Sequence, residues 1–268
     1  MDRDIALTYD EISLWSSPFG LKLLEKIDLR ENLNVLDLGC GTGFPAIEIA
    51  ERLGSPSNIF GIDISSPALE RAKYKAKIYG IKNIYFILGS GLKIPFLDEI
   101  FDLIVSNNGI NNTGDEEKTI MECSRVCKRG GDFIFTVNLP ETMNNFYNLF
   151  KKVLLENHLE KIIDRVSAHI KKHRKSIEEY EIYLSKANFS IVDLEEDEFC
   201  FKFLNGTTMI NHHFIKFWFL KPWLEILEGF DSYQIFEKLE EELNTFAVKN
   251  KYLSLNIPFV CFKCKKYF

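Results

Sequence analysis

Four groups of residues in this chain have the types and spacing for chemistry. The first is Asp37-x-Gly39-x-Gly41-x-Gly43, with Cys40 inside it. Glycines belong where backbone turns with positive φ or lies close to a ligand, because a Cβ would block both. The second is Asp63, twenty residues after Gly43; a carboxylate can accept both hydrogens of a vicinal diol at once. The third is the amide run Asn107, Asn108, Asn111 and Asn112, which can orient a ligand by hydrogen bonds. The fourth is His212-His213, whose imidazoles titrate near neutrality and could take a proton. Together they describe a nucleotide-type ligand held by backbone and carboxylate, beside a second ligand oriented by amides.

The elements that must position these groups follow from periodicity. Val35-Leu36-Asp37-Leu38 predicts a buried parallel strand, and the helix expected from Pro45 to about Leu53 presents its N-terminus to the loop. Gly54-Ser55-Pro56-Ser57 breaks the chain before a second strand, 58–63, that ends in Asp63. Ser65-Ser66-Pro67 caps a helix through Tyr79, and Gly80 stops it. Strands at 83–88 and 101–106 lead into Gly89-Ser90-Gly91 and Asn107-Asn108, and a helix over 115–128 precedes a fifth strand at 132–137. Open α/β sheets bind ligands at the carboxyl ends of such strands. Before them, residues 5–30 read as two helices broken near Pro18, with Tyr9 and Trp15 either packing on the sheet or closing over the ligand.

In D-x-G-x-G-x-G the last position of a dinucleotide fingerprint would be Phe44, too large for close helix packing. The run instead resembles motif I of the class I S-adenosylmethionine (SAM)-dependent methyltransferases. Phe101-Asp102-x-Ile104-Val105-Ser106-Asn107 is similar to that family's motif IV, and Arg125–Gly131 to the turn before its fifth strand. The small-molecule members, of the type 11/25 kind, are the nearest in pattern. The resemblance implies an α/β, Rossmann-like seven-stranded sheet, six strands parallel and the last antiparallel, with helical and aromatic cap insertions. It implies SAM across the carboxyl ends of strands one, two and four. Asp37, Gly39, Cys40, Gly41 and Gly43 would shape the methionine side, Asp63 would hold the ribose, and Ile64 would pack on adenine. Ser90 and Gly91 would meet the adenine edge, Asn107 would lie beneath the methionine part, and Tyr9 and Trp15 would close from the N-terminal segment. Ser90 departs from the family pattern, which often has a carboxylate there.

Domain organisation reads as one methyltransferase domain over 1–268, with an N-terminal helical lid at 1–30, cap insertions at 140–184 and 198–255, and closing strands near 189–194 and 256–262. The stretch 205–223 is dense in aromatics, as a pocket-lining cap or ordinary core would be. Residues 151–175 hold eight Lys/Arg against three Asp/Glu, read as a solvated face. Six scattered cysteines form no disulfide framework, and Cys261 and Cys264 fall on opposite faces of a strand, so buried thiols and no metal site are expected.

A net charge of −6 argues against a chain built to grip nucleic acid, as does the lack of an Asn/Asp-Pro-Pro-aromatic run after strand four. Met1-Asp2-Arg3-Asp4 starts no apolar leader, and Phe214–Leu220 is too short to span a bilayer, so a cytoplasmic monomer or homodimer without a membrane partner is expected. The implied activity is methyl transfer from SAM to a small-molecule O-, N- or C-nucleophile, with Asn111 and Asn112 orienting the acceptor and His212 taking its proton. An RNA or protein methyltransferase and a non-catalytic SAM-binding protein remain open alternatives.

Overall fold

A strand apolar on both faces needs covering layers above and below and partners on each side. In the computed structural model, which describes residues 13–267, Val35, Leu36 and Leu38 find all four. They lie in β1 (Asn34–Leu38), inside a seven-stranded sheet with β2 (Asn58–Asp63), β3 (Ile84–Leu88), β4 (Phe101–Asn107), β5 (Cys127–Asn138), β6 (Phe189–Phe203) and β7 (Leu253–Lys266). The order is β3-β2-β1-β4-β5-β7-β6. The first five strands pair in parallel, and β7 runs antiparallel to β5. This is the expected architecture.

The order reverses at β1, whose chain continues outward to β2 and β3 and then returns to β4 on its other side. Register brings the strand ends level: Asp37 lies opposite Gly61 and Val105, and Leu38 opposite Ile62. The residues that follow, Gly39, Asp63 and Asn107, therefore surround one switch point, where open sheets leave a crevice.

Helices Ser16–Glu25, Ala46–Leu53 and Ser66–Ile78 contribute Leu23, Leu24, Ile49, Ala50, Leu69 and Ala72 to one buried cluster with Val35, Ile59 and Phe86 of the sheet. Ser65 accepts the Ala68 N–H as the N-cap, Pro67 fills the first turn, and Gly80 takes φ +73° just past the end. Helix Glu116–Val126 packs beside Ile177–Lys186, and Tyr180 meets Phe135 and Phe262 of the sheet.

Several boundaries differ from expectation, each for a local reason. Pro18 is the third residue of Ser16–Glu25, in the first turn, where N–H groups have no intrahelical acceptor, and the helix expected ahead of it falls largely outside the described residues. The helix expected to reach Lys128 stops at Val126, because Cys127 already pairs with Phe101 and Arg129-Gly130-Gly131 are drawn into a longer β5. The alternating Phe199, Phe201 and Phe203 are not separate from the sixth strand but continue it to Phe203.

The chain divides into two compact units. The first takes the described residues to Asn138 with Lys175–Asp197 and the chain from Phe259 on; the second is Leu139–Arg174 with Glu198–Pro258. Within the second, Trp223 is fully buried and stacks on Phe146 at 3.9 Å between ring centroids, and its indole N–H donates to the Tyr147 hydroxyl at 3.1 Å. Arg174, expected on a solvated basic face, is buried here, donating to Thr142 O at 3.0 Å and lying over the Tyr147 ring. Cys123, Cys127, Cys261 and Cys264 are buried thiols, and burial pushes each upward, Cys127 and Cys261 to about 12. Among the described residues no helix is long and apolar enough to cross a membrane.

Candidate functional site

The loop after β1 is built from backbone bonds that only its sequence permits. Gly39 and Cys40 both donate to Ile62 O, at 2.8 and 3.1 Å, and Gly43 donates to Cys40 O at 2.8 Å. Gly39, Gly41 and Gly43 have φ of +76°, +51° and +101°. At Gly41 nothing stands within 4 Å of where a Cβ would lie, whereas a Cβ on Gly39 would be 3.3 Å from the Gly109 Cα, so the loops after β1 and β4 approach backbone to backbone. The Cys40 side chain turns away into the core against Gly61, so what Cys40 gives the loop is its main chain.

Two carboxylates flank this loop in opposite environments. Asp63 accepts the Gly41 N–H on Oδ2 at 2.9 Å and the Ser65 N–H on Oδ1 at 2.8 Å. It is half-buried, and each oxygen keeps a second lone pair. Asp37 is fully buried; Oδ2 accepts the Ala46 N–H at 3.0 Å at the start of the next helix, and Oδ1 has no partner. Burial pushes the Asp37 carboxyl up to about 7, with the Asp63 charge adding to the rise and the Ala46 N–H opposing it.

The loop after β3 is anchored from outside. Arg125 donates to Ile94 O and Phe96 O at 2.9 and 2.8 Å, and Glu122 accepts the Ile94 N–H. These two residues hold the far end of the loop that begins with Ser90 and Gly91, a role that the sequence did not disclose. The Ser90 hydroxyl accepts the Leu92 N–H at 3.2 Å, while a Cβ on Gly91 would press on Thr119, Thr113 and Leu38. Ile64, just past Asp63, is 75% exposed.

After β4 the amides brace one another. Asn107 donates to Ser16 O at 3.1 Å and accepts from the Thr136 hydroxyl, tying the N-terminal helix to two strands. That helix lies so close that a Cβ on Gly20 would meet the Phe44 ring and come within 3.0 Å of Asn107 Nδ2. Asn108 takes φ +53° and its side-chain oxygen accepts from Asn111 Nδ2 and from the Asn138 N–H. Asn111 also donates to Asn138 Oδ1 at 2.7 Å, while its own Oδ1 is buried without a partner. Asn112 donates to Asn108 O at 2.9 Å. Thr136 and Asn138 of β5 complete this network; their alternation on a buried strand was the available signal.

The structure thus brings Asp37, Gly39, Gly41, Asp63, Asn107 and Asn111 to the ends of adjacent strands. Trp15 precedes the N-terminal helix with its ring 5.6 Å from that of Phe19, and Tyr9 lies outside the described residues. His212 belongs to the second unit, between helix Gly206–Asn211 and residues His213–Ile215, with its ring near Phe203 and His213. Burial, with His213 beside it, holds its pKa below the usual value, and Nδ1 has no partner. Among the described residues no three His, Cys, Asp or Glu gather as a metal cluster.

Comparison with known proteins agrees with this geometry. A demethylmenaquinone methyltransferase of Lactococcus lactis is 31% identical over 152 residues, 55% of this chain and 59% of that protein. One from Staphylococcus aureus is 27% identical over 193 residues, 71% of this chain and 73% of that protein. Over the first four such relatives the match spans only 47% to 59% of their length. The crystal structure of a "putative methyltransferase" from Bacillus halodurans superposes with a TM-score of 0.61 at 17% identity, covering 93% of this chain and 99% of that one, a likeness of fold. The profile of the family described as "Methyltransferase domain" matches residues 29–188, more than half of the chain, and takes in both carboxylates, the glycine loop and the asparagine network. The chain belongs to that family.

Proposed function

We propose that this chain transfers a methyl group from SAM to a small-molecule acceptor. The observation that carries the reading is Asp63: a half-buried carboxylate pinned by two backbone N–H groups, with one lone pair left on each oxygen for a ribose diol. The residues fit the cofactor, because Gly41 leaves open the space that a side chain would fill and the glycine backbone can meet a ligand there. Bound SAM supplies a methyl group activated by a sulfonium, transferred by in-line displacement.

The chain's own residues bind, orient and exclude water. Asp63 accepts both ribose hydroxyl hydrogens. Ile64 covers the adenine face, and Ser90 and Gly91 meet its edge. Since Ser90 already accepts from Leu92, its hydroxyl hydrogen is the natural contribution to an adenine ring nitrogen, in place of a carboxylate accepting from the amino group. Asp37 and Gly39 shape the methionine side, and Asn107, with both polar atoms engaged, is a rigid floor. Asn111 offers its unpartnered oxygen to a donor hydrogen of the acceptor, and Asn112 stiffens the same loop. His212, in the second unit, has its pKa lowered by burial, which favours the neutral imidazole that can take a proton from an alcohol or ammonium. The relatives named for demethylmenaquinone support a small molecule as acceptor.

Calorimetric titration with SAM, S-adenosylhomocysteine and NAD, beside Asp63→Ala, tests the cofactor reading. Binding of both adenosyl ligands, weakened about 100-fold in the variant as two charged hydrogen bonds are lost, and no binding of NAD, is the expected result. Absence of adenosyl binding overturns it. Turnover left intact in Asn111→Ala, Asn112→Ala and His212→Ala alike would overturn the acceptor-side roles.

A further inference from the structure

The second unit carries an exposed aromatic turn that the methyl-transfer reading does not use. Residues 213–226 run as one helical stretch, α-helical at His213–Ile215, π-helical at Lys216–Leu220 and α-helical again at Lys221–Ile226. The π turn lies just ahead of Pro222, which has no N–H to give and whose ring crowds the carbonyl four residues back. One side of the stretch is anchored: Ile215 and Trp223 are buried, and Phe214 and Phe219 face each other at 5.4 Å between centroids. The other side presents Phe217 and Trp218, consecutive residues 80% and 70% exposed. Two neighbouring large aromatics so open to water on an anchored turn are not explained by the fold.

Charge leading into the turn is of one sign, and the first acid after it is Glu225. From Phe199 to Leu224 the sequence has no Asp or Glu, in a chain with 39 of them, and it has Lys202, Lys216 and Lys221. Lys216 and Lys221 are exposed and flank the aromatic pair; Lys216 makes no ion pair among the described residues, and Lys221 reaches Glu225 only at 4.0 Å. Aromatics set at an interface with lysines reaching past them suit a surface that is apolar within and anionic outside. A protein partner's acidic patch would answer the lysines, but not two adjacent exposed rings with lysine on either side. A bilayer answers both.

We propose that the turn Lys216–Lys221 docks the protein on the surface of a membrane containing anionic lipid, with Phe217 and Trp218 entering the headgroup–acyl boundary and Lys216 and Lys221 contacting lipid phosphates. The contact proposed is made by one short turn and is therefore peripheral, in place of the expectation of no membrane partner; among the described residues no helix is long and apolar enough to cross a bilayer. The proposal is independent of the cofactor reading, since vesicle binding needs neither SAM nor turnover.

Co-sedimentation of the full chain with phosphatidylcholine vesicles, with and without phosphatidylglycerol, tests it. Binding is expected to the anionic vesicles, with a blue shift of tryptophan emission, and to fall about tenfold or more in Phe217→Ser/Trp218→Ser and in Lys216→Glu/Lys221→Glu. Both pairs are exposed, so unchanged circular dichroism and melting temperature should accompany the loss. No binding to either vesicle overturns the proposal, as does binding unaltered in both variants. A concentration-dependent dimer in sedimentation velocity that Phe217→Ser/Trp218→Ser abolishes, without vesicle binding, also overturns it and assigns the turn to a second copy of the chain.

Discussion

The loop after β1 and the turn before Pro222 solve opposite problems. At the first, polar groups are drawn out of water and answered one by one: Asp63 by Gly41 and Ser65, Asp37 by Ala46, Asn107 by Ser16 and Thr136. At the second, apolar rings are pushed into water with no neighbour to cover them. Unanswered polar atoms in a buried site, and unanswered rings on a surface, both mark where something else completes the structure. The two places should therefore fail separately. Asp63→Ala should lose adenosyl binding about 100-fold and leave vesicle binding alone, whereas Phe217→Ser/Trp218→Ser should do the reverse. A variant at one place that disabled the other would break the comparison.

A stability measurement sharpens what anchors the exposed turn. Trp223→Ala removes a fully buried indole stacked on Phe146 and leaves the Tyr147 hydroxyl without its donor. A loss of about 3–5 kcal/mol is expected from cavity formation, read by urea denaturation. Because the aromatic turn is presented by the same helical stretch, vesicle binding should fall with it. A loss below about 1 kcal/mol would mean that the indole is not the anchor of this unit.

How much was legible in advance follows the same division. The glycine loop, Asp63 and the asparagines after β4 could be read from sequence, because each function admits few residue types: no side chain replaces glycine at φ +101°, and few groups replace a carboxylate facing a diol. The seven-stranded sheet with its antiparallel last strand came with the resemblance those residues carried. What supports them was not legible. Arg125 and Glu122 hold the loop after β3 through contacts from a distant helix that leave no local pattern, and Thr136 and Asn138, which complete the asparagine network, left no more than a polar alternation on a buried strand. The run Phe214–Leu220 showed its aromatic content but not its exposure, since a buried and an exposed Phe-Trp pair are the same letters until the chain is folded.

The pH response reports on the buried carboxylate of the site, Asp37. The Asp37 carboxyl is pushed up to about 7 in the folded protein, from near 3.9 when unfolded. The folded state thus holds this proton more tightly, so the contribution of Asp37 to stability is fully present below about pH 4 and is lost as pH rises through 7. By linkage the loss approaches about 4 kcal/mol, an upper value. Asp37→Asn keeps an acceptor for the Ala46 N–H and removes the titration. The stability of the parent minus that of the variant should decline between about pH 4 and pH 7 and then level off. A flat difference across this window would show that Asp37 is ionised throughout.

The smallest effect concerns the latch on the N-terminal helix, whose Ser16 carbonyl Asn107 depends on. Lys22 reaches Glu195 at 2.8 Å and Asp197 at 3.2 Å, and Lys26 reaches Asp193 at 2.7 Å and Glu195 at 2.6 Å, joining Ser16–Glu25 to β6. The hydrogen bond from Lys22, then that from Lys26, holds the Glu195 carboxyl down to about 2, and Glu195 and Asp197 raise the Lys22 ammonium. A depressed carboxylate contributes above its unfolded pKa and is lost as pH falls toward 2, and a raised ammonium contributes below its own unfolded pKa. The latch is therefore constant between about pH 5 and pH 9, unlike Asp37. Salt is its proper probe, because screening shortens from about 10 Å to about 3 Å between 0.1 M and 1 M. Over that range the melting temperature of the parent, corrected for the general effect of salt by reference to Lys22→Ala/Lys26→Ala, should fall slightly. Adenosyl affinity should weaken less than tenfold in the double variant, since exposed ion pairs are worth little singly and the Gly20–Phe44 contact remains to seat the helix. A loss as large as that of Asp63→Ala would instead make the helix, rather than the carboxylate, the chief determinant of cofactor binding.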